Sequence, residues 1–146
     1  HLYVKVTGSP SVMIVKKSFF KNADKKLFDL RDKNVWDFDT DTITHIKFTR
    51  TSRKKLTIEA KKNNKEGTWH LLKPSKMNAD NRAVGNWLWD LSGLRVREFL
   101  DQAEFDALAH DATPDVTFSL DAKGHKKPIV LTLYNTNGKW VAQAED

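Results

Sequence analysis

The chain contains no cysteine. That absence excludes thiol catalysis, cysteine-ligated zinc and any disulfide framework. It fits a cytosolic protein, or an exported one whose core is large enough to do without disulfides. Glycine and proline are also sparse, six and four among 146 residues. The glycines stand at turns or helix ends, apart from Gly85 inside a tryptophan-bearing helical stretch. None of them forms a phosphate-binding loop, a dinucleotide fingerprint or a nucleophile elbow. No apolar run approaches the roughly 18 residues of a membrane span, and no charged-then-apolar signal segment opens the chain. The chain begins at His1, without Met, directly in a strand-like segment. It is therefore expected to be a piece of a longer protein whose targeting or anchoring element lies elsewhere.

What is present describes a folded domain. Hydrophobic residues make up 39% and charged residues 30%, with five Trp and eight Phe, too aromatic a composition for a disordered chain. A chain of this length buries about 68–70% of its unfolded surface, so it needs no metal to fold. Lys and Arg number 25 against 19 Asp and Glu, a net charge of +6. Such a surface favours polyanionic neighbours in general without choosing among them.

Periodicity marks the elements. Ile46 and Phe48 alternate with His45, Lys47 and Thr49, and Leu56, Ile58 and Ala60 alternate with Thr57, Glu59 and Lys61. Trp69 and Leu71 continue the pattern, which predicts a three-stranded antiparallel meander with one apolar face. A second meander follows in Val116–Leu120, Ile129–Leu133 and Trp140–Ala142. The spacing from Phe48 to Trp69 matches that from Phe118 to Trp140 within one residue, so Trp140 is expected to point inward as Trp69 does. A hairpin is predicted at Tyr3–Val6 and Val12–Val15, followed by a helix over Ser18–Leu27. The clearest helix starts near Ala79, capped by Asn78 or Asp80, with Val84, Trp87, Leu88 and Leu91 on one stripe and Gly93 at its C-terminus. A short helix is predicted over Ala103–Leu108. The fold class is α+β, with antiparallel meanders packed by helices. Its repeated units are expected at about 1–54 and 55–128, with a truncated third at 129–146.

Each candidate site also has a plain structural role open to it. Asp37, Asp39 and Asp41 have the alternate spacing of a calcium loop. Thr42 stands where that loop needs Gly, however, and Phe48 where it needs a bidentate Glu. Asp41 reads instead as a turn or cap residue, and no metal is expected. His45 and His70 fall on the polar side of adjacent-looking strands, close enough to approach each other, but no orienting partner is visible for catalysis. No cofactor and no catalytic residue is assigned, and an enzyme is not expected. The basic runs Arg53-Lys54-Lys55 and Lys61-Lys62 lie at opposite ends of a strand, an arrangement poor for nucleic acid. On the second helix, Trp89 lies about 140° from Val84, off the core stripe. Trp89 with Arg82 and Asn86 is the candidate partner-binding patch. Its plain alternative is a second core covered by another unit.

The segment Thr68-Trp69-His70-Leu71-Leu72-Lys73-Pro74, then Ala79-Asp80, Val84, Leu88, Leu91, Leu94-Arg95 and Phe99, resembles domain-of-unknown-function family 4340. Leu30-Arg31-Asp32-Lys33, Phe38-Asp39 and Ile43–Thr49 resemble the part just upstream, so the resemblance spans roughly positions 28–101. Trp87 and Trp89 depart from it, since small or aliphatic residues are usual there. The resemblance implies a bacterial protein, membrane-anchored and extracytoplasmic, often encoded beside gliding-type ABC transporter components. No catalytic residues are known in the family to carry over. The expected function is a non-catalytic binding or accessory module of an envelope transport system, with a protein partner in the membrane or envelope and no nucleic acid. The alternative is a polyanion-binding domain engaging nucleic acid or an anionic envelope polymer.

Overall fold

The computed structural model describes residues 2–109 and 112–145. Chain contacts divide it into two compact units, His1–Asp32 and Lys33–Asp146. The boundaries expected near 54 and 128 lie within the second of these, at the links flanking its strands.

In the first unit, β1 (Leu2–Lys5) and β2 (Val12–Val15) form an antiparallel hairpin paired from Leu2↔Val15 to Lys5↔Val12. Gly8, at φ +86°, takes the left-handed conformation that its turn requires. The single helix expected over Ser18–Leu27 is broken into α1 (Lys17–Ala23) and α2 (Leu27–Leu30). Asp24 leaves helical geometry at φ −81°, ψ 77°. The Asp29 carboxylate then accepts the Lys26 backbone N–H at 3.1 Å and restarts the helix. None of the described residues of this unit is buried, and Tyr3, Ile14, Phe19 and Leu27 are all exposed.

The second unit is built on one antiparallel sheet of seven strands. These are β3 (Ile43–Arg50), β4 (Leu56–Lys62), β5 (Trp69–Lys73), β6 (Met77–Asn78), β7 (Val116–Ala122), β8 (Ile129–Thr136) and β9 (Lys139–Glu145). Their order is β6-β5-β4-β3-β7-β8-β9, so the two meanders are halves of a single sheet. They meet where β3 pairs with β7, and there Phe48 stands directly opposite Phe118. The helix α3 (Asn81–Ser92) is capped by Asp80, whose Oδ1 accepts the Arg82 and Ala83 N–H groups at 2.9 and 3.2 Å. Gly93 ends it, at φ −82° rather than in a left-handed turn. A shorter helix, α4 (Gln102–Ala109), opens on reciprocal bonds between Asp101 and Glu104.

Leu88 and Leu91 of α3 join Ile43, Ile46, Ala60, Trp69, Phe118, Leu120, Ile129 and Leu131 in one buried cluster. Ile43 reaches it because the β3–β7 register slips between Ile43 and His45. Without the slip, Ile43 would share the polar phase of His45. The sequence missed Trp36, which is 4% exposed. Its indole N–H donates to the Leu91 carbonyl at 2.6 Å, and its ring meets Phe38 and Phe118 edge-on.

Two inward positions expected from the sequence need correction. Ile58, opposite Phe48 on β4, is half-buried and stands outside the cluster. Trp140 is 57% exposed, whereas Trp69 is 5% exposed. Trp140 lies on the edge strand opposite Asn135, beyond a core that stops at β8. The buried residue of β9 is Val141, on the other side of the sheet opposite Tyr134. The Tyr134 ring is there met by Phe105 of α4 at 5.7 Å.

Candidate functional site

The face of the sheet opposite α3 carries a chain of charged side chains across four strands. His45 on β3 is bonded through Nδ1 to Asp121 Oδ2 of β7 at 3.0 Å, and through Nε2 to Glu59 Oε1 of β4 at 3.1 Å. The Lys73 ammonium of β5 reaches the second Glu59 oxygen at 3.0 Å. Alternation along β3, β4 and β7 brings the first three residues to this face. Lys73 arrives by a different route. The β4–β5 register slips by one residue, from Ala60↔Leu71 to Glu59↔Lys73. The slip turns Lys73 away from the side that Leu71 occupies.

The Lys73 ammonium holds the Glu59 carboxyl below its ordinary value; His45 adds to the effect and burial opposes it. A neutral imidazole has one N–H and can donate to one of its two carboxylates, whereas imidazolium donates to both. Through its two ring nitrogens His45 links β3 to both β7 and β4. A depressed folded-state pKa stabilises the protein above the unfolded carboxyl's midpoint, near 4.5, and that contribution is lost on acidification. Glu59→Gln is therefore expected to lower stability at neutral pH and to flatten the acid limb of the stability curve. Denaturant unfolding across a pH series measures both; parallel acid limbs for the two proteins would contradict the assignment.

The sequence left room for His70 to approach His45, and the structure keeps them apart. β4 lies between their strands, and both residues register against Lys61, which puts their backbones about 10 Å apart. His70 bonds instead to Asn78 Oδ1 at 3.1 Å and to Thr68 Oγ1 at 3.3 Å. Beside it, an open depression is lined by Lys61, Lys62, Asn63, Asn64, Lys65, His70 and Leu72. The neighbours Lys61 and Lys62 point to opposite sides of β4, and the Lys62 ammonium sits 6.0 Å from the Trp69 ring centre.

Asp37, Asp39 and Asp41 do not converge. Asp41 is a turn residue, inside the 3-10 turn Thr40–Thr42 that leads into β3, and Asp39 is its cap, with Oδ1 accepting the Asp41 N–H at 2.9 Å. Among the described residues, no group of three or more His, Asp or Glu side chains is placed to hold a metal ion.

Arg82, Asn86 and Trp89 form one exposed stripe on the outer side of α3, and Trp89 is 72% exposed. Its neighbours four residues away are the glycines Gly85 and Gly93, and those three residues away are Asn86 and Ser92. Gly85 is inside a helix, where glycine costs about 0.5–1 kcal/mol relative to alanine. A Cβ added there would meet nothing within 4 Å. Packing among the described residues therefore gives no reason for a glycine at that position. Trp87, the other departure noted in the sequence, points inward and packs on Phe48 and Phe118 at 6.0 and 5.9 Å.

A family model, that of a domain of unknown function (DUF4340), matches residues 1–123. The chain belongs to this family. The match takes in the first unit, α3, α4 and the strands through β7, while β8 and β9 lie beyond it. No curated protein and no solved structure matches the chain. No helix among the described residues is long and apolar enough to cross a membrane.

Proposed function

We infer that this DUF4340 chain is a non-catalytic binding module of the bacterial cell envelope, extracytoplasmic and membrane-anchored in the full-length protein. It serves as an accessory to an ABC-type transport system. The envelope setting is an expectation carried by the family resemblance. The observation that carries the binding role is the Trp89 stripe. A large aromatic stands exposed between two glycines, with Arg82 and Asn86 as polar neighbours, the pattern of an interface anchor with a polar rim. Support for a non-catalytic role comes from His45, whose ring nitrogens are both committed to carboxylates.

Trp89→Ala is expected to leave stability within about 0.5 kcal/mol of the parent while abolishing capture of a partner from the producing organism's membranes. Gly85→Ala is expected to raise stability by about 0.5–1 kcal/mol and weaken the same capture. A loss of several kcal/mol in Trp89→Ala would instead make the indole part of a core and remove the docking face.

The depression beside His70 favours a second reading, polyanion binding, because Lys61, Lys62 and Lys65 are gathered at one hairpin end. Retention on heparin that is lost at moderate salt and reduced by Lys61→Glu and Lys65→Glu, with no protein partner recovered, would favour that reading over the first.

A further inference from the structure

The two edges of the seven-stranded sheet differ in kind. On one side it ends in β6, which is two residues long. On the other it ends in β9, seven residues paired to β8 without a register slip from Val130↔Glu145 to Thr136↔Lys139. The connection is a two-residue turn, Asn137 and Gly138, both at positive φ (53° and 85°), the geometry that keeps hairpin strands flush. Soluble sheets usually protect an edge with a bulge, a proline, a charge in mid-strand or a very short strand. β6 is protected in the last way. β9 carries none of the four, for its sequence is Lys-Trp-Val-Ala-Gln-Ala-Glu with charges only at its two ends.

Those ends are complementary under antiparallel self-pairing. With Ala142 on the two-fold axis, Lys139 faces Glu145 of the second copy at both ends of the ladder. Trp140 faces Ala144, and Val141 faces Gln143. Trp140, Ala142 and Ala144 are all exposed in the single chain and share the side of the sheet that carries Leu131 and Leu133. Directly opposed residues lie about 4.5–5.5 Å apart at Cβ, so each indole would cover an alanine of the other copy instead of clashing with a large side chain. The self-complementary arrangement of charge and size is what an isologous two-fold contact requires. We propose that β9 is a homodimerisation edge, pairing antiparallel with β9 of a second copy of this chain about Ala142 to continue the sheet across both molecules.

Sedimentation equilibrium of the chain over the micromolar range tests this. The parent protein is expected to show a monomer–dimer equilibrium. Ala142→Lys sets two ammonium groups against each other on the axis, at a site exposed in the monomer. It is expected to give only monomer, with an unchanged circular dichroism spectrum. Lys139→Glu and Glu145→Lys should each weaken the dimer about tenfold, because each creates a like-charge pair twice. The double reversal should restore it. A parent chain that stays monomeric throughout, a dimer that survives Ala142→Lys, or a double reversal that fails to rescue would each overturn the proposal.

Discussion

Trp36→Ala is expected to cost about 3–5 kcal/mol, the range for emptying a buried tryptophan site. The site has little freedom to collapse. Val35 N–H donates to the Leu94 carbonyl at 3.0 Å, and Val96 N–H to the Lys33 carbonyl at 2.8 Å, so the strand-like segment carrying Trp36 is tied to the chain leaving α3. The ring also fills the space between Phe38 and Phe118. Trp36→Phe separates volume from hydrogen bonding. It keeps most of the aromatic packing but removes the indole N–H, leaving the Leu91 carbonyl with backbone partners alone, the Leu94 N–H at 3.2 Å and the Gly93 N–H. That variant is expected to lose about 1–2 kcal/mol. Denaturant unfolding of the two variants should rank them in that order. Equal losses would mean that the hydrogen bond, not the packing, holds the segment.

Phe118→Ala should be of similar size, about 3–5 kcal/mol, for a reason seated at the seam of the sheet. Phe118 meets Phe48 across the β3–β7 pair at 5.2 Å, Trp87 of α3 at 5.9 Å and Trp36 at 6.1 Å. It therefore links both meanders, the helix and the preceding segment. Aromatic pairs add about 0.5–1.5 kcal/mol beyond the area they bury. A double-mutant cycle with Trp87→Ala is expected to show coupling of that order. Thr117→Ala, one residue away on the polar side, serves as the control. A Phe118 variant no less stable than that control would mean that the meanders are held together by backbone pairing alone.

The elements that could be read from the sequence were those whose signals are local. The two-residue alternation of β3 and β4 assigned His45, Glu59 and Lys61 to one side and Ile46, Phe48 and Ala60 to the other, and the sheet keeps that assignment. The stripe of Val84, Trp87, Leu88 and Leu91, the Asp80 cap and the outward position of Trp89 were legible for the same reason: a helix repeats within a few residues. The misreadings occurred where a local rule met a distant partner. Trp140 has the right phase for the core, but the phase says only which side it takes, not whether anything lies over that side. Lys73 would share a side with Leu71 if β5 were regular, and the register slip against β4 reverses it. Asp121 meets His45 from 76 positions away, a separation that no periodicity spans.

By itself the amino-acid sequence determined the fold class, the strands other than the two-residue β6, the principal helix and the polarity of each sheet side. Backbone geometry and hydrophobic burial impose these over a handful of residues. Only the tertiary structure decided that the two meanders form one sheet through β3 and β7, that Trp36 closes its core, and that β9 stands at the end of the sheet order. Each of these depends on which surfaces meet when distant segments pack, and that choice is made by the whole chain at once.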